Sequence, residues 1–361
     1  MASTTFTATS PLAVKLWARK AFNDAVKTTL YGKLTGKSDR SIVQMRDEVK
    51  TEGDRIRFRI RSLPIGIGVQ DSETLEGTEE GLEYKSFDLN LGEKRKAFKV
   101  ELNLSQERVM ADVRSDMKDA VEEWTEDYID TTFFEYLTGA GIGLSGASKY
   151  HPSGALGGNT LLSPSSDRII YGGAATSKAS LVVGDIFNLS VLDKARERIT
   201  RASPTMRKGN FDGKQMWVCI LSPEQITSLR TNTSTGQWLD LQKAAMTGGK
   251  VSDNPIWSAA LGVYNDFLLV ESTRVPRFTD YGAGSNIEAH RAIILGAQAA
   301  VACHGVGTDD KGRLKVKEKE IDYGKHLGMG ATFVWGLQKV RFADQSDFGV
   351  FVIDTAAKAA V

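Results

Sequence analysis

The chain has 361 residues, with 46 Lys and Arg against 45 Asp and Glu, a formal net charge of +1 and 41% hydrophobic residues. Its length supports a large core divided into more than one subdomain, and the even charge excludes a generally basic nucleic-acid binder and an acidic disordered tail. No apolar run approaches the roughly 20 residues that span a bilayer, so no membrane partner is expected; Met1–Ser10 also lacks the basic and apolar blocks of a signal peptide.

In chain order, residues 1–50 read as an arm. A helical pattern over Pro11–Lys27 carries Leu12, Leu16 and Trp17, and Gly32 and Gly36 break it. Residues 51–104 read as an extended loop built on a β-ribbon. Apolar and basic residues alternate through Asp54–Arg61, which puts Arg55, Arg57, Arg59 and Arg61 on one face. Phe98–Leu104 alternates in the same way and is the expected partner strand. Between them lie Asp71, Glu73, Glu76, Glu79, Glu80 and Glu83, with no Lys or Arg from Gln70 to Tyr84. A two-stranded ribbon is marginal alone, so this one is expected to pack on something outside its own subunit.

A long helix follows over 105–138. Ser105 is a suitable N-cap, and Val109, Val113, Met117, Val121, Trp124 and Tyr128 form one apolar stripe that ends before Gly139. Val113, Met117, Val121 and Trp124 are its expected core residues. Neither Pro nor Gly interrupts it, giving roughly 50 Å of rod. Gly139–Gly173 is rich in Gly and Ser and reads as irregular loops. From Asp185, a candidate helix cap, the chain reads as a compact α/β unit. A strand is expected at Met216–Leu221, a capped helix at Ser222-Pro223-Glu224-Gln225, a short helix at Gln237–Met246, and apolar strands at Phe267–Val270 and Ala292–Leu295. The last strands are expected at Ala331–Phe342, bulged at Gly336, and at Phe348–Ile353.

Chemistry is sparse. His151, His290, His304 and His326 show no metal-ligand spacing, and adjacent Cys303 and His304 point to opposite faces of a strand, so no metal is expected. Cys219 and Cys303 sit in apolar runs, as free thiols do in a reducing cytoplasm. Asp347-Phe348-Gly349 lacks every companion motif of a kinase, and Gly139–Gly143 follows a helix where a dinucleotide fingerprint follows a strand. Glu122, Glu123, Glu126 and Asp127 read as a solvated helix face. No catalytic residue and no cofactor are expected. The arginine stripe has three readings: phosphate contacts, an edge strand protected by charge, and a contact with the acidic loop (Glu73, Glu76, Glu79, Glu80, Glu83) of a neighbouring copy.

Ser10–Lys27, Asp54–Leu63, Ser222–Trp238, Asn254-Pro255-Ile256-Trp257 through Val275-Pro276-Arg277, and Tyr323-Gly324-Lys325-His326 through Gly336 resemble the major capsid proteins of tailed bacteriophages. The family is the one typified by the coliphage N-four capsid protein. The resemblance implies an α+β, Hong Kong 97-type fold: arm 1–50, extended loop 51–104, spine helix and first peripheral part 105–184, axial domain 185–304, and peripheral C-terminal strands 305–361. It implies a structural subunit of a virion capsid, self-assembling into hexamers and pentamers that enclose double-stranded DNA, with scaffold, portal and decoration proteins as candidate partners. A non-viral compartment shell of the same fold and a soluble α/β enzyme remain as alternatives.

Overall fold

The computed structural model describes residues 29–47, 55–61, 68–70, 74–77, 79, 81, 84–101, 113–142, 148–151, 155–211, 213–232, 262–305, 314–323, 325–341 and 346–357. The expected helices at Pro11–Lys27 and Gln237–Met246 lie outside these residues. The first elements are α1 (Leu30–Leu34), β1 (Thr35–Gly36), β2 (Val43–Asp47), β3 (Arg55–Arg61), β4 (Tyr84–Asn90), β5 (Gly92–Glu101) and α2 (Val113–Thr138). Then come β6 (Ala155–Leu156), β7 (Asn159–Thr160), β8 (Ile169–Tyr171), α3 (Leu189–Arg201), β9 (Gly209–Phe211), β10 (Lys214–Leu221) and α4 (Pro223–Thr231). The rest are strands: β11 (Val263–Tyr264), β12 (Phe267–Glu271), β13 (Arg277–Tyr281), β14 (Ile287–Leu295), β15 (Ala300–His304), β16 (Leu314–Ile321), β17 (His326–Lys339) and β18 (Val350–Ala356).

An eight-stranded mixed sheet runs β11-β12-β10-β14-β18-β8, with β13 beside β14 and β9 beside β10. Its central strands are apolar on both faces because both faces are covered. Trp217, Cys219 and Leu221 pack with Leu192, Ala195 and Ile199 of α3 and Ile226 and Leu229 of α4. Val218 and Ile220 point the other way, to the cluster that holds Ile129, Phe133 and Leu137 of α2. α4 starts as its sequence dictates: Ser222 Oγ accepts from Gln225 N, Gln225 caps in return, and Pro223 opens the first turn. α3 starts later than expected. Asn188 is its cap, because the Asp185 carboxylate is engaged by Val182 N at 2.9 Å.

The six-stranded sheet centres on β17. β5 lies along one side of it, from Glu101 opposite His326 to Gly92 opposite Trp335. β16 and β15 follow one another along the other side, and β2 then β1 extend the sheet beyond β15. The odd-numbered residues Leu327, Met329, Ala331, Phe333, Trp335 and Leu337 face the α2 core.

Four expectations are corrected. First, β3 pairs with β4, not with Phe98–Leu104: Phe58 faces Phe87 and Arg57 faces Asp88. Phe98 and Val100 instead serve β5, where they pack toward α2. The ribbon also packs on its own subunit, since Phe58 and Leu89 are buried with Val301, Cys303, Val340 and Phe348. Second, residues 29–47 are not arm. Gly32 lies inside α1, Tyr31, Leu34, Ile42 and Val43 are buried, and β2 is an interior strand. Third, the sheets do not divide at 184/185 and 304/305. β8 and β18 enter the eight-stranded sheet and β15 the six-stranded one, because the chain crosses between sheets after Leu295 and again before Val350. Fourth, β17 has no bulge at Gly336, which pairs in register with Cys303. A Cβ there would collide with the Asn90 carbonyl oxygen, so the glycine permits a close backbone crossing.

Candidate assembly surfaces

The long helix has two environments. Met117 and Val121 are buried, and Trp124 is half-buried, stacked on Tyr128 at 5.3 Å. Val113 opens the helix. From Tyr128 to Thr138 every residue is buried, because this half lies between β17 and the large sheet. Its polar side chains are therefore partnered rather than solvated. Asp130 accepts from Tyr31 N at 3.2 Å and from Leu30 N at 3.4 Å, which holds the start of α1. Glu135 takes Ser148 Oγ and Lys149 N. Asp127, expected on a solvated face, is half-buried and bonded to Lys149, Tyr150 and Arg274. Burial pushes its pKa up, but these hydrogen bonds outweigh burial and bring it to about 2.

Buried charge is likewise structural. Arg291 pairs with Asp354 through two 2.8 Å bonds across β14 and β18, and Tyr281 OH donates to the same carboxylate at 2.7 Å. Asp347 of the kinase-like triplet sits 3.0 Å from Lys339 and 2.8 Å from Arg341, and Ser165 N donates to it. Burial pushes the Lys339 ammonium down to about 8 despite this partner. The triplet thus pins the turn that leads into β18.

One arrangement missed in the sequence places Ser222 Oγ 2.7 Å from His290 Nδ1, with His290 Nε2 3.3 Å from Glu288. It has the order of a nucleophile, base and acid. Yet the hydroxyl caps α4, Ser222 is 1% exposed and the imidazole is fully buried, so no substrate reaches it. Burial lowers the His290 pKa. His151 is buried against Thr132, and burial lowers its pKa to about 4. His304 lies in the aromatic cluster of Tyr31, Phe333 and Trp335. Cys219 and Cys303 are buried in different core clusters and form no disulfide with one another. Among the described residues no three His, Cys, Asp or Glu side chains gather as a metal site, and no helix is long and apolar enough to cross a membrane.

The surface, by contrast, carries patterned charge. Arg57 makes a two-point pair with Asp88 (2.7 and 3.0 Å), and Arg55 reaches Asn90 at 3.1 Å. The arginine stripe therefore has a partner on its own ribbon, which the sequence reading missed by choosing the wrong second strand. Arg59 and Arg61 continue β3 in register with Ser86 and Tyr84. In the acidic loop Glu76 and Glu79 are exposed, and Glu79 accepts from Gly77 N at 2.7 Å. Glu73, Glu80 and Glu83 lie outside the described residues, as do Leu12, Leu16 and Trp17. A second charged strand went unnoticed: Lys315, Lys317 and Lys319 alternate through β16 and share one face.

This molecule thus ties its buried ion pairs into the fold, shows no open catalytic constellation among the described residues, and carries exposed charge along its strands. The model of a family described as phage capsid protein matches residues 5–359.

The chain belongs to the phage capsid protein family.

The capsid protein has the Hong Kong 97-type fold. It is similar to the capsid of Ralstonia phage GP4, at 30% identity and a TM-score of 0.80 with all of both chains covered. It is 23% identical to the major capsid protein of Pseudomonas phage KPP25, over 95% of this chain and 94% of that one. The Cyanophage Pam1 capsid shares the fold at 15% identity, with a TM-score of 0.70 over 93% of this chain and 94% of that one. As a phage capsid protein it associates with copies of itself in the shell of the virion.

Proposed function

We propose that this capsid protein is the major shell subunit of a tailed phage, assembling into hexamers and pentamers of an icosahedral shell around double-stranded DNA, with no catalytic activity of its own. Family membership across residues 5–359 is the observation that carries this, and it favours a virion over a non-viral compartment. In this reading the eight-stranded sheet with α3 and α4 is the axial domain, and α2 with the six-stranded sheet is the peripheral domain. The β3–β4 ribbon with its acidic loop is the extended loop that reaches a neighbour, and residues before Thr29 form the arm. A net charge of +1 suits a wall that contains DNA without the dense phosphate contacts of a DNA-binding protein. Scaffold, portal and decoration proteins are the further partners such a shell uses.

The test is to express the full chain and examine it by size-exclusion chromatography and negative-stain microscopy. Closed shells or six- and five-membered rings are expected. A monomer under every assembly condition, or substrate turnover abolished by one point substitution away from subunit contacts, would overturn the proposal.

A further inference from the structure

His290 of β14 stands where four elements meet. Strand registers set it beside Arg277 of β13 and Thr355 of β18, and Ser222 and Glu224 reach it from the start of α4. Its side chain is fully buried. Ser222 Oγ lies 2.7 Å and Glu224 Oε2 3.4 Å from Nδ1, and Glu288 Oε1 lies 3.3 Å from Nε2. Arg277 Nη2 holds the other oxygen of Glu224 at 3.1 Å. Among the described residues, the charged groups facing the ring are therefore Glu224 from α4, Arg277 from β13 and Glu288 from β14 itself, while β18 offers the uncharged Thr355.

A neutral imidazole carries one N–H, yet a carboxylate stands at each of its nitrogens. One of the two acids must face a bare lone pair. The hydrogen-bond network assigns which. Ser222 Oγ accepts from Gln225 N as the cap of α4, so its own proton goes to Nδ1, and Nε2 keeps the ring proton toward Glu288. Glu224 Oε2 is left buried with no hydrogen-bond partner among the described residues. An unsatisfied buried acceptor is costly. A second proton on the ring would give Glu224 a donor, but the closed arrangement uses it poorly. Charged N–H···O bonds close to about 2.7–2.9 Å, and both acids stand farther off. Ser222 would also lose the acceptor of its hydroxyl, and the cation would be shut away from water beside Arg277.

We propose that His290 is a proton-responsive site that governs the docking of α4 on the eight-stranded sheet: a proton taken up at Nδ1 displaces the Ser222 hydroxyl and releases the start of the helix. Burial lowers the pKa of His290 more than Glu288 and Glu224 raise it, and Arg277 acts with burial. At neutral pH the ring is therefore neutral and α4 stays docked. Lifting α4 admits water to the imidazole and returns its pKa toward about 6.5. The lifted form binds the proton more readily, so acid shifts the helix toward it as pH falls below about 6.5. The response belongs to the subunit itself and acts on the sheet face opposite α2.

The experiment is hydrogen–deuterium exchange on the full chain, read by mass spectrometry from peptides covering Ser222–Thr231 between about pH 7.5 and about pH 5 and corrected for the intrinsic pH dependence of exchange. Linkage to one proton allows exchange through opening to rise by up to about tenfold per pH unit. Wild type is expected to show such a step below about pH 6.5, H290Q to lose it and H151Q to keep it. E224Q removes an acid that favours the cation and should widen the step; R277M removes a charge that opposes the cation and should narrow it. Both retain the imidazole, so they decide the matter even if H290Q fails to fold. Flat protection of the wild-type peptides, a step that survives H290Q, or a step that E224Q and R277M leave unmoved or shift in the opposite senses would overturn the proposal.

Discussion

Replacing Asp354 with Ala is expected to damage the subunit more than almost any single change outside its apolar core. Among the described residues, Asp354 is the sole acid bonded to the Arg291 guanidinium, which the sheet holds with 11% of its side chain exposed. Without it, Arg291 retains Tyr281 OH at 3.0 Å, the Thr138 carbonyl at 3.4 Å and the Phe278 ring, none of which neutralises the charge. Removing one partner of a buried pair costs about 3–5 kcal/mol, whereas replacing both with apolar groups of similar volume is often neutral. Every factor of ten in the folding equilibrium corresponds to about 1.4 kcal/mol, so the folding equilibrium constant falls by more than about a hundredfold. The assay is urea denaturation of unassembled subunits, followed by tryptophan fluorescence. Asp354→Ala should lower the midpoint strongly, and Arg291→Met with Asp354→Leu should recover most of it. A single-variant cost below about 1 kcal/mol, or a double variant no better than the sum of its singles, would refute the reasoning.

Three further outcomes are expected. His151 has its pKa lowered to about 4 by burial, below its unfolded value of about 6.5. The unfolded chain therefore binds the proton first, and stability due to this group falls as pH drops from about 6.5 to 4, by about 3 kcal/mol in all; His151→Gln should flatten that limb in pH-dependent denaturation, and an unchanged limb contradicts the assignment. Trp124→Ala should cost about 2–3 kcal/mol, below the range of a fully buried aromatic because Trp124 is half-buried; an unchanged melting temperature would show that its stack on Tyr128 contributes nothing. A chain starting at Thr29 should remain folded but assemble poorly, whereas one starting at Glu48 should be insoluble, because it lacks β2, an interior strand; limited proteolysis and sedimentation distinguish these outcomes.

Local patterns were legible where one segment carried its own instructions. The capping box at Ser222 and the two-faced apolar run of β10 are of that kind, and both stand in the structure. Strand partners were not, since Phe87 and Leu89 alternate just as Phe98 and Val100 do. Only the rest of the sheet decides that the first pair faces β3 and the second faces α2. Asp127 misled for the same reason: periodicity cannot reveal that it meets Arg274, nor that Asp130 and Glu135 meet the α1 backbone and Ser148. Gly336 reads alike for a bulge and for a close crossing until the Asn90 carbonyl is in place. Of the assembly surfaces, the arginine stripe and acidic loop stood out as charge runs, whereas the shared face of Lys315, Lys317 and Lys319 emerges only once β16 is placed as a strand.

The most direct test of the central claim is an electron cryomicroscopy reconstruction of particles formed by the full chain. Icosahedral shells are expected, in which each subunit keeps α2 against β17 and its extended loop reaches a neighbouring subunit. A discrete monomer under every assembly condition, or particles without icosahedral order, would overturn this reading.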